Sequence, residues 1–315
     1  MTTERRLINP FQLPDWAPMR PLCPWRMPKH REYYVAVDSM ENAFDDFAFH
    51  MGDLGIFLED GQLVLTTGHT KCGKSSLINR CADWVATKLD ERKIRCEVLD
   101  LTSALTGRPQ ESMPDRMRVV CDSLFVELIR RDLLRSDALD LLSGDRDQPD
   151  RIYPTLPQAV TDATALVVLL PKSDLVNEVL RYAALARARI LFLVESEHLR
   201  DDEVDEIVDG LQQWSQPIVL SVGSLSPGDV RRFASDRLTR HRALGTYPDL
   251  DQDTMAAMEN LLKSIGETQR ALHGTYELKR RNGVDYDENG SVTYQEIVEF
   301  RYSTLRDSAR RSVRR

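Results

Sequence analysis

The sequence predicts an α/β fold in which helices cover both faces of a parallel sheet and an all-helical part follows. From residue 62 onward, short apolar runs alternate with longer amphipathic runs, the pattern of strands alternating with helices. A glycine-rich loop joins the first strand to its helix. No further strand candidate follows residue 251, and the rest of the chain is predicted as helices. Strands linked by helices pair in parallel because each connection crosses over the sheet.

Composition indicates a globular chain and excludes several classes of protein. The chain has 315 residues, 42% of them hydrophobic and 29% charged, enough for about two domains. A net charge of −8 argues against a whole-protein footprint on nucleic acid, which would be basic. The five cysteines are scattered without metal-ligand spacing, as expected in a reducing compartment. No apolar run reaches the ~20 residues of a membrane span, so we expect a cytoplasmic protein without a membrane partner.

The first 34 residues are predicted to form a proline-rich arm. Six prolines fall within the first thirty residues, and that spacing prevents a regular helix or a central strand. Trp16 and Trp25 indicate an arm that is anchored on the globular body rather than a solvated linker. After the arm, the apolar face of residues 40–50 predicts the first helix.

The α/β domain is predicted to span residues 35–245. Its strand candidates are 62–67, 95–100, 165–170, 190–194 and 217–222. Its later helix candidates are 75–90, 115–134, 175–187, 202–214 and 228–241. The polar stretch 136–154 contains proline and glycine and is predicted as an exposed insertion. A boundary near residue 245 separates this domain from a helical part, residues 246–305, and a basic tail, residues 306–315.

The loop after the first strand carries a phosphate-binding motif. Its sequence over residues 68–75, GHTKCGKS, fits G-x-x-x-x-G-K-[ST]. The glycines let backbone N–H groups point at phosphate oxygens, Lys74 reaches the β- and γ-phosphates, and the Ser75 hydroxyl ligates Mg²⁺. The preceding strand and the following helix supply the context that a chance match would lack. The sequence therefore predicts a P-loop NTPase sheet with a nucleotide site made of Gly68, His69, Thr70, Lys71, Cys72, Gly73, Lys74, Ser75 and Ser76.

Hydrolysis of the nucleotide would need a carboxylate at the end of another strand, to hold Mg²⁺ and polarise the attacking water. No strand candidate ends in an Asp-Glu pair after four apolar residues. Glu195 directly follows the fourth strand, Asp174 follows the third by a few residues, and Asp100 ends the second. As structural alternatives, Asp174 would cap the helix 175–187 and Glu195 would be a loop carboxylate. The sequence leaves the choice of catalytic acid between Glu195 and Asp174 open.

Two segments are similar to motifs of GTPases. GKSSLINR over residues 73–80 resembles their first motif, and LLPKSDL over residues 169–175 is similar to the guanine-reading N-K-x-D. Pro171 replaces the asparagine that would bond the guanine edge, and no D-x-x-G follows a strand before it. A GTPase is therefore the alternative, and ATP is the expected nucleotide.

The C-terminal part resembles the helical lid of AAA+ ATPases of the origin-recognition and STAND-like type. Residues 266–270, GETQR, match the lid turn that carries a sensor-2 arginine, and residues 289–297, NGSVTYQEI, match the segment opening the next helix. Residues 221–238 are similar to the segment that joins the fifth strand to the lid. The resemblance covers about residues 35–305 and implies that Arg270 touches the γ-phosphate in a catalytic role.

Residues 285–296, DYDENGSVTYQE, also match the EF-hand calcium-loop pattern D-x-[DN]-x-[DN]-G-x₅-E. The ligands would be Asp285, Asp287, Asn289, the carbonyl of Ser291 and Glu296. The flank argues against this site, because KRRNG over residues 279–283 predicts a helix end where an entering helix must continue. No second loop is present to pair with it. We expect at most weak Ca²⁺ binding.

The basic tail and the fold together leave two classes of function. In one, the chain is a slow ATPase that moves its lid against a protein partner or a second copy. In the other, it is a scaffold that binds ATP structurally and lacks the catalytic acid, with a calcium-binding regulatory protein as a further alternative.

The C-terminal tail is basic, since residues 305–315 hold five arginines and one acid. Two interpretations stay open, contact with nucleic acid and a solvated chain end.

Overall fold

The computed structural model describes residues 6–107, 112–210, 216–283 and 285–312. Its strands are β1 Gln62–Gly68, β2 Cys96–Asp100, β3 Ala165–Leu169, β4 Ile190–Glu195, β5 Ile218–Val222, β6 Asp249–Leu250 and β7 Ser291–Val292. Its helices are α1 Met40–Met51, α2 Gly55–Glu59, α3 Lys74–Glu91, α4 Met113–Arg130, α5 Ser136–Leu142, α6 Pro149–Ala159, α7 Val176–Leu185, α8 Asp201–Asp209, α9 Asp229–His241, α10 Gln252–Leu261, α11 Ile265–Asn282 and α12 Tyr294–Ser312. Within these ranges, no helix combines the length and the apolar character needed to cross a membrane.

A parallel sheet in the order β2-β3-β4-β1-β5 forms the centre of the molecule. β1 lies beside β4, with Thr66 opposite Glu195. Successive residues of a strand enter different apolar clusters, because side chains alternate between the two faces of a sheet. Leu63 and Leu65 join the cluster formed with α4, α6 and α7, whereas Val64 joins the cluster formed with α1, α2 and α3. The predicted fold class, a parallel sheet with helices on both faces, is confirmed.

The predicted strands of the central sheet agree with the observed ones to within about one residue at each end. The predicted ends of the helices agree less well with the observed ends. The helix predicted over residues 115–134 runs from Met113 to Arg130. The helix predicted over residues 202–214 ends at Asp209, and residues 211–215 lie outside the described ranges.

The stretch 136–154 is not the exposed insertion that its polar composition predicts. It forms α5 and the first part of α6, and Leu142, Ile152 and Tyr153 are buried in the apolar cluster under the sheet. Ile152 and Leu156 are four residues apart and therefore share one face of α6. Pro149 stands at the start of that helix, where its missing N–H costs nothing. Polar residues between these apolar positions concealed the helical spacing.

Helix α9 lies before the boundary predicted near residue 245 but packs against helices that follow it. A third apolar cluster joins residues of α9, α10, α11 and α12, so α9 packs with the helical part. The two-residue strands β6 and β7 pair in parallel within this part, with Asp249 opposite Ser291. The prediction that no strand follows residue 251 is therefore wrong for β7. Two residues are too few to show a strand period.

The basic tail, predicted from residue 306, is continuous with α12 as far as Ser312. The side chains of residues 307–312 and the whole of residues 313–315 lie outside the described part of the chain.

The proline-rich arm crosses from the helical part to the sheet domain. At its start, the amide Nδ2 of Asn9 donates to the carbonyl of His273 at 2.9 Å, and Phe11 is fully buried in the helical cluster. Farther along, the indole Nε1 of Trp25 donates to Oδ1 of Asn79 on α3 at 2.7 Å. A short 3₁₀ helix, Pro28–Tyr33, begins at the last of the arm's prolines. The arm is thus fixed on both parts of the molecule.

Candidate functional site

The phosphate loop lies at the carboxyl edge of the sheet, between β1 and α3. Gly68 and Gly73 both have positive φ, of 142° and 94°. A Cβ at Gly68 would lie 2.2 Å from the carbonyl oxygen of Val222, and one at Gly73 would lie 2.5 Å from Cε of Met40. Both positions require glycine, because a side chain has no space there and L-residues avoid these φ values. The motif glycines therefore let β5 and α1 approach the loop closely.

The ammonium of Lys74 is held inside the loop. Its Nζ donates to the carbonyl oxygens of Gly68 at 2.8 Å and of His69 at 2.7 Å, and the residue is only 3% exposed. A buried cation needs such partners, since its desolvation is otherwise unfavourable. Phosphate oxygens would offer it charged acceptors in place of neutral carbonyls, which makes the loop a site that favours anions.

A hydroxyl and a carboxylate meet next to this lysine. The Ser75 hydroxyl, in the first turn of α3, donates to Glu195, with 2.9 Å to each carboxylate oxygen. Glu195 reaches the loop because β4 lies beside β1 in the sheet. Burial raises the pKa of the Glu195 carboxyl, while the ammonium groups of Lys172 and Lys74 and the Ser75 hydroxyl act in the opposite direction. Such oxygen ligands suit Mg²⁺.

Asp174 lies outside this group. Its Oδ1 accepts hydrogen bonds from the hydroxyl of Ser196 at 2.6 Å and from the backbone N–H groups of Glu197 at 2.8 Å and His198 at 2.9 Å. Burial disfavours its charged form, but these bonds outweigh burial and lower the pKa of Asp174. The carboxylate shapes the loop after β4. It neither lines the cavity at the phosphate loop nor caps α7, whose N-cap residue is Leu175.

The end of β3 brings no carboxylate to the phosphate loop. The chain reads LPK over residues 170–172, and the Lys172 ammonium is paired with Glu197. Asp100, at the end of β2, is paired with Arg26 of the arm at 2.8 Å. Lys172 lines the cavity together with Ser75 and Glu195.

A cavity of about 350 Å³ opens beside the loop, a volume in the range of small-ligand sites. The lid forms part of its wall through Gly266 and Arg270 of α11. The backbone N–H of Gly266 donates to the carbonyl of Lys71 at 2.9 Å, so the lid touches the phosphate loop directly. The turn over residues 266–270 thus lies at the loop, and Arg270 is exposed on the cavity wall.

The remaining wall consists of residues that sequence reasoning missed. The arm contributes Phe11, Leu13, Trp16, Ala17, Pro18, Met19, Arg20, Pro21 and Leu22. At the other end, the buried guanidinium of Arg237 lies between the rings of Tyr33 and Phe233, 5.1 and 4.8 Å from their centroids. The aromatic residues of the arm indicate that the arm is anchored on the globular body. No local pattern indicates which surface a proline-rich segment covers.

A second group that the sequence did not reveal is a buried carboxyl beneath the loop. Asp38 is fully buried, and its Oδ2 lies 3.5 Å from the position of a Cβ on Gly73. The backbone N–H of Asp38 donates to Oδ2 of Asp229 at 2.9 Å. Burial, and then the Asp229 carboxylate, raise the pKa of Asp38 to about 8. The Asp38 carboxyl is therefore mainly protonated at neutral pH.

The segment 285–296 joins α11 to α12, but its contacts do not support a calcium site. The entering helix ends before Gly283, which adopts the left-handed conformation, as its Asn-Gly pair predicts. Glu296 accepts hydrogen bonds from the Lys279 ammonium and from the Thr293 backbone N–H, both at 2.7 Å. Among the described residues, no three acidic, histidine or cysteine side chains are grouped to hold a metal ion.

Comparison with known proteins was made at the level of sequence and of structure. No protein-family model and no curated protein sequence matches the chain. The ORC1 protein of Aeropyrum pernix, solved in complex with DNA, matches 89% of this chain and 69% of its own, with a TM-score of 0.58 and 12% identity. The ORC2 protein of the same organism, solved with ADPNP and ADP, matches 82% of this chain and 66% of its own, with a TM-score of 0.52 and 12% identity. The chain has the fold of the AAA+ ATPases.

The AAA+ fold confirms, at the level of architecture, the resemblance that the lid segments indicate. At 12% identity the likeness concerns the fold alone, and the chain spans about two thirds of the length of the ORC2 protein. The glycine-rich loop lies at the carboxyl edge of the parallel sheet, between β1 and α3.

Proposed function

We propose that this chain binds ATP with Mg²⁺, hydrolyses it slowly and acts as a nucleotide-dependent switch on a protein partner or on a second copy of itself. The observation that supports the proposal most directly is the contact of Ser75 with Glu195, next to the buried ammonium of Lys74. Neutral backbone carbonyl groups accept hydrogen bonds from that ammonium, and the hydroxyl–carboxylate pair lies beside it.

The triphosphate end of the site follows from these groups. The loop's backbone N–H groups and the start of α3 favour phosphate oxygens, and Lys74 supplies the positive charge. Ser75 and Glu195 would hold Mg²⁺, which when bound neutralises charge on the β- and γ-phosphates. The other carboxylate on this wall of the cavity, Glu197, is already paired with Lys172.

The base end of the cavity favours adenine over guanine in this proposal. Its wall beyond the phosphate loop includes the apolar side chains of Val35, Val37, Met40 and Ile265, which suit the flat face of a base. Guanine recognition through N-K-x-D needs an asparagine and an acid at the base. Here Pro171 replaces the asparagine, and Asp174 is bound to the loop after β4.

Slow turnover follows from the small number of carboxylates near the loop. Fast hydrolysis uses an acid to position the metal and a group to orient the attacking water. Within the described residues, Glu195 is the carboxylate that contacts Ser75, and the end of β3 supplies a lysine instead of an acid. Glu195 would therefore have to serve both purposes.

The lid contact supports a role as a switch. The Gly266 N–H bonds to the phosphate loop at Lys71, and Arg270 lines the same cavity, so nucleotide at the loop and the position of the lid are linked. We propose that Arg270 senses the γ-phosphate and that lid movement is what a partner detects. The second candidate function, an ATP-binding scaffold, is favoured by the missing carboxylate at β3.

The test is phosphate release by Glu195→Gln, with Glu91→Gln at the opposite end of α3 as the matched control. Wild type should bind ATP and release phosphate slowly, and Glu195→Gln should lower the rate by roughly tenfold or more. Glu91→Gln should match wild type. ATP binding without phosphate release would favour the scaffold, and a wild-type protein that binds no ATP would exclude both functions.

A further inference from the structure

Two cavities meet at the phosphate loop, and the arm lies over their junction. The first is the 350 Å³ cavity of the proposed nucleotide site, and the second, of about 600 Å³, lies toward the ends of β2 and β3. The residues that line both are Trp16, Arg20, Pro21, Ser75, Lys172 and Glu195. Three of them belong to the arm and three to the phosphate site. Arg20 therefore lines the same two cavities as the hydroxyl–carboxylate pair.

Arg20 is an unpaired cation, in contrast to the other charged groups at this junction. Its guanidinium lies 5.9 Å from the ring centroid of Trp16, and within the described residues its side chain has no ion pair or hydrogen bond. Lys172 is paired with Glu197. Arg26, six residues farther along the arm, is paired with Asp100 at 2.8 Å. The positive charge left without a partner at the junction is that of Arg20.

The arm holds this arginine between two anchored segments. On one side, Phe11 is fully buried among the lid residues, and the Gln269 amide donates to its carbonyl at 2.6 Å. On the other side, the backbone N–H of Leu22 donates to the hydroxyl of Ser76 in the first turn of α3, at 3.1 Å. Prolines at 18 and 21 restrict the backbone on both sides of Arg20. Its position over the loop is thus built into the fold.

We propose that Arg20 binds the terminal phosphate of the nucleotide and that each chain supplies this arginine to its own site. The inference rests on the proposed function. Lys74 approaches the β- and γ-phosphates from inside the loop, and Ser75 and Glu195 mark the metal side. Beyond them, at the junction, the exposed end of the γ-phosphate would face a planar guanidinium whose N–H groups match phosphate oxygens. Arg20 is then a binding residue that distinguishes ATP from ADP.

The test compares the affinities of wild type and variants for ADP and for a non-hydrolysable ATP analogue, by fluorescence titration. Arg20→Ala should weaken binding of the ATP analogue by about tenfold more than binding of ADP, the effect of removing a hydrogen bond to a charged group. Arg20→Gln keeps the length of the side chain and should show the same loss. Arg26→Ala removes a paired arginine of the same arm and should leave the ratio of the two affinities at its wild-type value.

Three outcomes separate this inference from the proposed function. If wild type binds neither nucleotide, the proposed function fails and Arg20 has no ligand. If wild type binds both nucleotides and the ratio of their affinities is the same in Arg20→Ala, the nucleotide site is supported and the proposed role of Arg20 is wrong. A mixture of Arg20→Ala with Lys74→Ala should not restore the ratio, because each chain uses its own arginine. Restoration in the mixture would show that a second copy supplies the arginine and would overturn the proposal.

Discussion

The hydroxyl of Ser75 lies 2.9 Å from both carboxylate oxygens of Glu195, although 120 positions separate the two residues in the sequence. The sheet order produces this contact, since β4 lies beside β1 and Thr66 is opposite Glu195. Glu195 is 4% exposed, so its charge is buried among the lysines of the site. The carboxylate that meets Ser75 is thus the last residue of β4, whereas the end of β3 carries a lysine, Lys172.

Lys74→Ala should abolish ATP binding and leave the fold intact. The substitution removes the cation that the phosphates would contact, while the α3 residues behind it keep their packing. Binding is measured by titration with a fluorescent ATP analogue, and the fold by circular dichroism. The matched control is Lys88→Ala on the last turn of the same helix, where the lysine is paired with Glu91. Equal affinity of Lys74→Ala and wild type would contradict the phosphate-loop assignment.

ATP should bind more tightly than GTP. Pro171 has no side-chain amide for the guanine edge, and Lys172 lines the cavity together with Ser75 and Glu195. Competition of the two nucleotides for a bound fluorescent ATP analogue measures the preference, with UTP as a control for binding through phosphates alone. Tighter binding of GTP would contradict this prediction and favour the GTPase alternative.

The contribution of Asp38 to the free energy of unfolding should fall as the pH rises from about 4 to about 8. The pKa of Asp38 is about 8 in the folded protein, whereas the ordinary pKa of an aspartate side chain is 3.8. A carboxyl whose pKa is raised by folding binds its proton more tightly in the folded state, so its stabilising effect is complete at low pH and is lost through this window. The slope from this one group is at most about 1.4 kcal/mol per pH unit.

Urea unfolding of wild type and Asp38→Asn at several pH values measures this contribution. The amide cannot ionise, so Asp38→Asn should lack this contribution, and its stability relative to wild type should rise with pH between about 4 and about 8. Asp46→Asn, which removes an exposed acid from α1, should keep the wild-type slope. An identical slope in Asp38→Asn and wild type would show that another group is responsible.

Calcium should bind weakly or not at all. Glu296, the bidentate ligand of a calcium loop, instead accepts hydrogen bonds from Lys279 and Thr293. Asp287 accepts the backbone N–H groups of Asn289 and Gly290, at 2.8 and 2.9 Å. Calorimetry with Ca²⁺ in the absence of nucleotide should show no micromolar site. A micromolar site that Glu296→Gln removes and Glu299→Gln keeps would prove this prediction wrong.

Local patterns were sufficient for most elements of the central sheet and for the position of the glycine-rich loop. The central strands are short apolar runs whose ends are marked by glycine, proline or charge, and they appear within about one residue of their predicted positions. The loop motif fixes its own glycines, because Gly68 and Gly73 stand where a Cβ would collide with Val222 or Met40. The segment 136–154 was misjudged, since only a few of its side chains are buried and its average composition is polar.

What the sequence alone determined is therefore the α/β class and the positions of the central strands, because both depend on the alternation of apolar runs and turn residues along the chain. Tertiary structure decided which carboxylate meets Ser75, because that contact depends on the order β4-β1 and on no local spacing. It also decided that α9 packs with the C-terminal helices and that Arg20 of the arm lines the same cavity as the phosphate loop. Such contacts join residues that are far apart in the sequence. Burial of apolar surface brings these elements together, and this driving force does not depend on the separation of residues along the chain.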